Sequence, residues 1–280
     1  PSFDGLPSLV AVRQGIYDSL DIKIDFITYA SATDRDAAFL SGKLDGMLTD
    51  YPGATLLQAK GSRLRLVMET DGSLSLIASK KSNVRNPDGL KGKNISVSGN
   101  TFVEYATDEV MKRACLHPGE VNKPEINNIS LRLMMLEDGQ ISASFLPGPA
   151  TAIALNNGHT ALLNTRQMGL RCTGIVFSEK AITEKDEEIR RFITGYNLGV
   201  KYLQTRPQNE WTEILVKEFG LQEKAAMQID LPDYRPATRP SYHDIEKIIA
   251  WLKSKGAIPD YYPGENLVDT TFIPGTLKPQ

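Results

Sequence analysis

Apolar and polar positions fall in short blocks along this chain, and one arrangement of blocks occurs twice. Residues 41–61 read SGKLDGMLTDYPGATLLQAKG, and residues 138–158 read DGQISASFLPGPATAIALNNG. With the two stretches set 97 residues apart, Gly42, Pro52 and Gly61 face Gly139, Pro149 and Gly158 without a gap. Leu44, Met47 and Leu48 face Ile141, Ser144 and Phe145, short and mostly apolar runs that predict buried strands. A break containing Pro and Gly follows in each copy. Pro52 and Pro149 suit the first turn of a helix, where the N–H that proline lacks has no partner to lose. GATLLQAK and ATAIALNN then predict helices, stopped by Gly61 and Gly158. Each copy is a strand–loop–helix unit.

The same register extends in both directions. LRLVMETDG at 64–72 faces ALLNTRQMG at 161–169, which adds a further strand and the loop after it. Upstream, SFDGLPSLVAVRQG matches GNTFVEYATDEVMK as a loop feeding a helix, and KIDFIT parallels PEINNIS with a small offset. Strands that alternate with helices predict an α/β fold, with mainly parallel sheets flanked by helices. The second half has a strand, NISVS, before its first loop; the first half reaches Pro1 without one. A core strand, and any targeting segment upstream of it, is therefore expected outside these residues.

LRCTGIVFSEKAI predicts a strand broken at 178–180 and resembles LSLIASKKSNV at 74–84; both are expected beside crossovers between two lobes. From residue 184 onward the pattern is helical. Ile189, Phe192, Ile193, Tyr196, Val200 and Leu203 recur at helical spacing, NEWTEILVKEF stops at Gly220, and Ser241 and Gly256 bracket a helix with a stripe of Ile245, Ile248, Ile249 and Leu252. These helices have no repeat partner and are assigned to the first lobe. The expected division is 1–80 plus 172–280 for lobe 1 and 81–171 for lobe 2.

Composition narrows the function. With 41% hydrophobic and 24% charged residues and a net charge of −2, the chain reads as globular and shows no basic footprint for nucleic acid or an anionic membrane. No apolar run approaches the roughly 20 residues that span a bilayer. The cysteines, Cys115 and Cys172, are two in number. Two thiols make no disulfide framework, and they read as small buried hydrophobes. His117, His159 and His243 fall outside the expected site loops and lack metal-site spacing, so no metal or cofactor is expected. No phosphate-loop, dinucleotide or nucleophile-elbow motif is present in the sequence. The pattern favours binding over chemistry, and a monomer.

Ligands in open α/β sheets bind outside the carboxyl ends of strands. Two such lobes in opposition gather those loops around one cleft. Lobe 1 offers Ser2, Phe3, Asp4, Asp50, Tyr51 and Asp71; lobe 2 offers Ser98, Gly99, Asn100, Thr101, Phe102, Pro147, Gly148 and Arg166. The stretch SGNTF, opening a helix, is an expected anion cradle built from free N–H groups and the helix dipole. Phe3, Tyr51 and Phe102 are expected apolar walls. Asp4, Asp50 and Asp71 are candidate hydrogen-bond acceptors, and equally candidate turn residues.

Several stretches together carry a family resemblance: LVAVRQGIY, AAFLSGKLDGMLTDYPGA, NPDGLKGKNISVSGNT, FLPGPATAIALNNG and NLVDTTFIPG. The chain resembles the ABC-transporter solute-binding proteins of the nitrate/sulfonate/taurine group, which includes the NMT1/THI5-like thiamine-precursor binders. Gly148 departs from the pattern, standing where many relatives have an acid. The resemblance implies a two-lobed, periplasmic-binding-protein-like (type II) fold that closes on a small ligand by a hinge. It also implies a bacterial, extracytoplasmic protein, free in the periplasm or lipid-anchored, that serves a membrane permease. Its substrate would be a sulfonate or taurine, a nitrate-like anion, or a pyrimidine precursor of thiamine. The alternative is an enzyme on the same fold, a pyrimidine synthase or small-acid lyase. The pyrimidine synthases of the group carry a Cys/His-rich signature that this sequence lacks.

Overall fold

The computed structural model describes residues 2–229 and 231–273. In chain order the elements are α1 (Leu6–Arg13), α2 (Ile16–Ser19), α3 (Ala32–Leu40), β1 (Gly46–Asp50), α4 (Tyr51–Ala59), β2 (Leu64–Glu69), β3 (Leu74–Ala78) and β4 (Ile95–Ser96). Then come α5 (Phe102–Arg113), α6 (Ile129–Asp138), β5 (Ala143–Pro147), α7 (Gly148–Asn156), β6 (Thr160–Asn164) and β7 (Thr173–Ser178). The rest is helical: α8 (Glu179–Glu184), α9 (Asp186–Thr205), α10 (Thr212–Phe219), α11 (Glu223–Gln228) and α12 (Tyr242–Ser254). The repeat register holds closely: β1 and β5, α4 and α7, and the starts of α3 and α6 are each 97 residues apart.

Local chemistry sets the helix starts. Ser31, Asp50, Thr101, Asn128, Ser178 and Ser241 each accept a first-turn N–H with their side chains. Such caps satisfy donors that the helix itself leaves open. Left-handed Gly139 and Gly220 end α6 and α10.

Two sheets form, one in each lobe. The first has the order β1-β7-β2 and the second β4-β5-β3-β6. β7 runs antiparallel to both β1 and β2, and β3 runs antiparallel to both β5 and β6. β4 and β5 pair in parallel. Each sheet thus differs from the expected mainly parallel ladder in one respect. Its repeat strands do run alike, but a strand arriving from the other lobe is inserted between them and pairs antiparallel to its neighbours. The apolar alternation of an inserted strand is the same whichever way it runs, so the sequence does not reveal its direction.

This insertion moves one element across the expected boundary. β3, assigned with residues 1–80, hydrogen-bonds in the second sheet, from Leu74 against Pro147 to Ala78 against Ala143. β7, the return strand, lies in the first sheet. α12 contacts both lobes. Its buried Ile245, Ile248 and Leu252 share one apolar cluster with Met47 and Leu66 of the first sheet and with Val103 and Val110 of α5. Trp251 stacks edge-on to Tyr105 and donates to Asp108 at 3.0 Å.

KIDFIT lies in no strand, and Phe26 and Ile27 are 45% and 58% exposed. In the second half the corresponding region bridges Asn122 to Asn94 and Glu125 to Val97. No equivalent of β4 stands beside residues 22–29 among the described residues. α1 and α9 carry a second core, where Leu6, Val10, Ile193, Tyr196 and Val200 are buried. Each fully buried Leu or Val contributes roughly 1.5–3 kcal/mol. Cys115 is exposed, Cys172 is buried, and both are free thiols.

Candidate functional site

The carboxyl ends of β1 and β5 meet at a seam between the sheets, and two contacts cross it. Asp50 ends β1 and caps α4, with Oδ1 accepting from the Gly53 N–H at 2.7 Å. Its other oxygen reaches the second lobe and accepts from the Phe102 N–H, the first of α5, at 3.0 Å. Beside it, the Phe3 ring lies against the start of α7. A Cβ on Gly148 would stand 2.1 Å from Phe3 Cδ2, so only glycine admits the ring there.

In the SGNTF loop, the expected anion cradle, the protein's own carboxylates take backbone N–H groups. Phe102 N–H donates to Asp50, and Asn100 N–H donates to Glu104 Oε2 at 2.8 Å. Asn100 has a left-handed backbone, with φ of 55°. Thr101 caps α5, accepting from Val103 N–H at 3.2 Å, and its hydroxyl donates to Ser98 O at 2.8 Å. The Ser98 hydroxyl donates to Asn127 Oδ1 at 2.8 Å. Gly99 sits so close to the Glu125 carboxylate that a Cβ would meet it at 2.8 Å.

Lobe 1 supplies an acidic network beneath the seam. Asp4 is 1% exposed, accepts a hydrogen bond from the Ser2 hydroxyl and lies 3.4 Å from Thr70 Oγ1. Asp71 accepts from both the backbone N–H and Nε of Arg235, each at 2.7 Å. Arg235 Nη2 donates to Glu69 at 2.8 Å, and Tyr51 donates its hydroxyl to the same carboxylate at 3.0 Å. Arg171 stands 3.9 Å from both Glu69 and Asp71. Tyr234 donates to Phe3 O at 2.8 Å.

Burial drives the protonation equilibria. It raises the Asp4 carboxyl against the hydrogen bonds of Ser2 and Thr70. It also raises Asp50, outweighing the N–H groups of Phe102 and Gly53 and the charge of Arg35. At Glu104 burial again pushes upward, but Lys255, the Asn100 N–H and Lys123 outweigh it, and the net shift is down.

The sequence-derived residues thus occupy distinct places. Ser2, Phe3, Asp4, Asp50, Ser98, Gly99, Asn100, Thr101, Pro147 and Gly148 gather at or beside the seam. Tyr51 and Phe102 are enclosed, so their rings serve the lobe cores and not an open wall. Asp71 points into the ion-pair network. Arg166 is partly buried near Tyr234, whose hydroxyl feels its charge. Two surface hollows of about 260 and 250 Å³ lie away from these loops. Among the described residues, no group of three or more His, Cys, Asp or Glu is placed to hold a metal. Sequence reasoning missed Glu69, Tyr234 and Arg235. Glu69 ends a strand at the seam, a position that signals function in this architecture. Tyr234 and Arg235 lie in LPDYRPATRP, a stretch without periodicity that gave no signal.

The family described as NMT1/THI5 like matches residues 2–210. The chain belongs to the NMT1/THI5-like family. A curated relative from Haemophilus influenzae, whose name assigns it to thiamine biosynthesis, is 21% identical over 266 residues, covering 90% of this chain and 83% of its own. The alkanesulfonate-binding protein SsuA of Xanthomonas axonopodis pv. citri, solved with MOPS bound, is similar in structure with a TM-score of 0.76. It is 18% identical, and the match covers 91% of this chain and 92% of SsuA. The periplasmic nitrate-binding protein NrtA of Synechocystis PCC 6803 gives a TM-score of 0.77 at 12% identity, over 93% of this chain and 80% of NrtA. At these identities the likenesses establish the shared two-lobed fold of this NMT1/THI5-like chain.

Proposed function

We propose that this protein is the extracytoplasmic solute-binding component of an ABC importer. It captures a small organic or anionic solute between its lobes and delivers it to a membrane permease. One observation carries the reading: the strand ends of both sheets meet at one seam, crossed by the Asp50–Phe102 hydrogen bond and the Phe3–Gly148 contact. Two rigid lobes joined by crossing strands suit hinge closure, with residues 1–73 and 173–273 moving against the part that begins at β3. The family match and the folds shared with a sulfonate-binding and a nitrate-binding protein support it. No described helix is long and apolar enough to cross a membrane.

A thermal-shift screen tests the reading. The panel is taurine, alkanesulfonates, nitrate, bicarbonate, aromatic carboxylates, hydroxymethylpyrimidine and riboflavin. A ligand at 100 times its Kd stabilises by about 2.7 kcal/mol, which raises the midpoint of a chain this long by about 5 °C. The expected result is one hit that mass spectrometry recovers chemically unchanged. Recovery of an altered compound overturns binding without turnover. It would favour the second reading, an enzyme on the same fold, which the thiamine-biosynthesis relative supports.

A further inference from the structure

The repeat exposes an imbalance of charge. In lobe 1, Arg35 of α3 donates to Leu48 O at 3.2 Å and holds the Asp36 carboxylate through Nε and Nη2 at 2.9 and 2.7 Å. Its charge also acts on Asp50. Moving 97 residues along, Arg35 becomes Arg132 of α6 and Leu48 becomes Phe145. Both acids disappear in that step: Asp36 becomes Leu133 and Asp50 becomes Pro147. Arg132 keeps the guanidinium and loses every carboxylate that answers it in the first copy.

The structure bears out what that substitution implies. Arg132 is 2% exposed, and its Nε and Nη1 are buried without an acceptor. Among the described residues no carboxylate pairs with it, and burial alone lowers its pKa, to about 10. A buried guanidinium without an anion is costly, and such groups are found paired or at functional sites. Its helix starts beside the lobe 2 loop that reaches the seam. Arg132 lies one turn into α6, whose leading loop carries Asn127, bonded to Ser98, and Glu125, packed on Gly99. α6 packs on β5 and α7, the elements that present Pro147 and Gly148 to the seam.

We infer that Arg132 receives the oxyanion of the solute, a carboxylate, sulfonate or phosphate, which supplies the counter-ion that Asp36 and Asp50 supply to Arg35. The inference rests on the solute-binding reading and deepens it by naming the chemical group recognised. A planar fork of donors suits a two-oxygen contact with such a group.

The test compares wild type with Arg132→Met and Arg132→Lys by calorimetric titration and thermal midpoint. The probes are methanesulfonate, acetate and methyl phosphate, each against its neutral counterpart: dimethyl sulfone, acetamide and trimethyl phosphate. Wild type should bind at least one oxyanion and not its counterpart. Arg132→Met should lose about a hundredfold or more in affinity, and Arg132→Lys should keep a weakened site, with the charge but not the fork. Without ligand, Arg132→Met should melt at the same temperature as wild type or higher, because Met fills the space without an unanswered charge. Equal oxyanion binding by wild type and Arg132→Met overturns the inference. So does failure of all three oxyanions to bind wild type, or a midpoint several degrees lower in Arg132→Met, which would mean that the fold already satisfies the guanidinium. If a neutral organic solute from the wider screen binds wild type and Arg132→Met alike, solute binding stands and the oxyanion role falls. If instead an oxyanion binds through Arg132 and is recovered chemically altered, the oxyanion role stands and binding without turnover falls.

Discussion

The strand–loop–helix units at 46–59 and 143–156 share length, register and a proline near the helix start, yet they treat charge in opposite ways. The first ends its strand in Asp50, whose carboxylate caps its own helix and reaches the start of α5. The second ends in Pro147, which has no side-chain cap to give. The helix before the first unit, α3, pairs Arg35 with its own Asp36; the helix before the second, α6, holds Arg132 with no carboxylate partner among the described residues. A repeat therefore fixes where a site lies while leaving each copy free to choose what the site attracts. Here lobe 1 is acidic at the seam, with Asp4, Asp50, Glu69 and Asp71, and lobe 2 meets Asp50 with the Phe102 N–H.

The sharpest way to break this pairing of unlike halves is to keep them apart. Gly148→Leu places a branched side chain where the Phe3 ring lies, and small-angle scattering should then show no ligand-induced compaction. Adding Phe3→Ala should restore it, and failure of that rescue would place the block elsewhere. Next in size is the acidic network of lobe 1. Arg235→Ala leaves Glu69 and Asp71 facing the distant Arg171 as their cation, with the Tyr51 hydroxyl still on Glu69 and the residue-235 N–H still on Asp71. Removing one partner of a buried pair costs roughly 3–5 kcal/mol, and the part-exposed position of Arg235 reduces this to about 2 kcal/mol, measurable by urea unfolding.

Stability gained on acidification should come from lobe 1, since Asp4 and Asp50 are raised there while Glu104 of lobe 2 is lowered. Asp4 has a raised pKa, so its contribution to stability is greatest below the unfolded carboxyl range and is lost as pH rises through the folded value. Asp4→Asn removes that term. Its midpoint advantage over wild type should be widest near neutrality and close on acidification; a gap independent of pH would count against burial as the cause. At Thr101, the repeat equivalent of Asp4, no such trend is expected. The smallest contrast lies at the strand ends themselves. Asp50→Ala removes a cap worth about 1 kcal/mol, whereas Pro147→Ala should cost under about 0.5 kcal/mol, mainly through the unfolded chain.

Much of this molecule was legible because glycine and proline mark turns whatever surrounds them. Gly42, Gly61, Gly139 and Gly158 all adopt positive φ, as helix-stop positions require, and the repeat they define located the seam. The helices after 184 were legible for a different reason: Ile189, Phe192, Ile193, Tyr196 and Val200 are buried on one stripe. Strand direction was not legible, since alternation reads the same both ways, so the antiparallel pairing of β3 and β7 came only with the structure. Nor was the fate of the aromatic residues. Tyr51 and Phe102 stand beside the seam in sequence, but the first turn of a helix directs a large ring inward. Arg235 escaped notice because its acid partners lie more than 160 residues away, beyond any local pattern.

The Asp50–Phe102 hydrogen bond has one further consequence. A carboxylate held by the opposing helix start is a tethered ligand, present at fixed and high local concentration. Any solute that needs the Phe102 N–H must first evict it. The affinity measured in solution is then the intrinsic one scaled by the fraction of molecules in which Asp50 has withdrawn. Because burial raises the Asp50 pKa, falling pH converts this rival from anion to neutral acid sooner than it would an exposed carboxylate, and weakens its hold on a backbone donor. The protein thus resembles a balance with a weight already on one pan, and acidity sets how heavy that weight is.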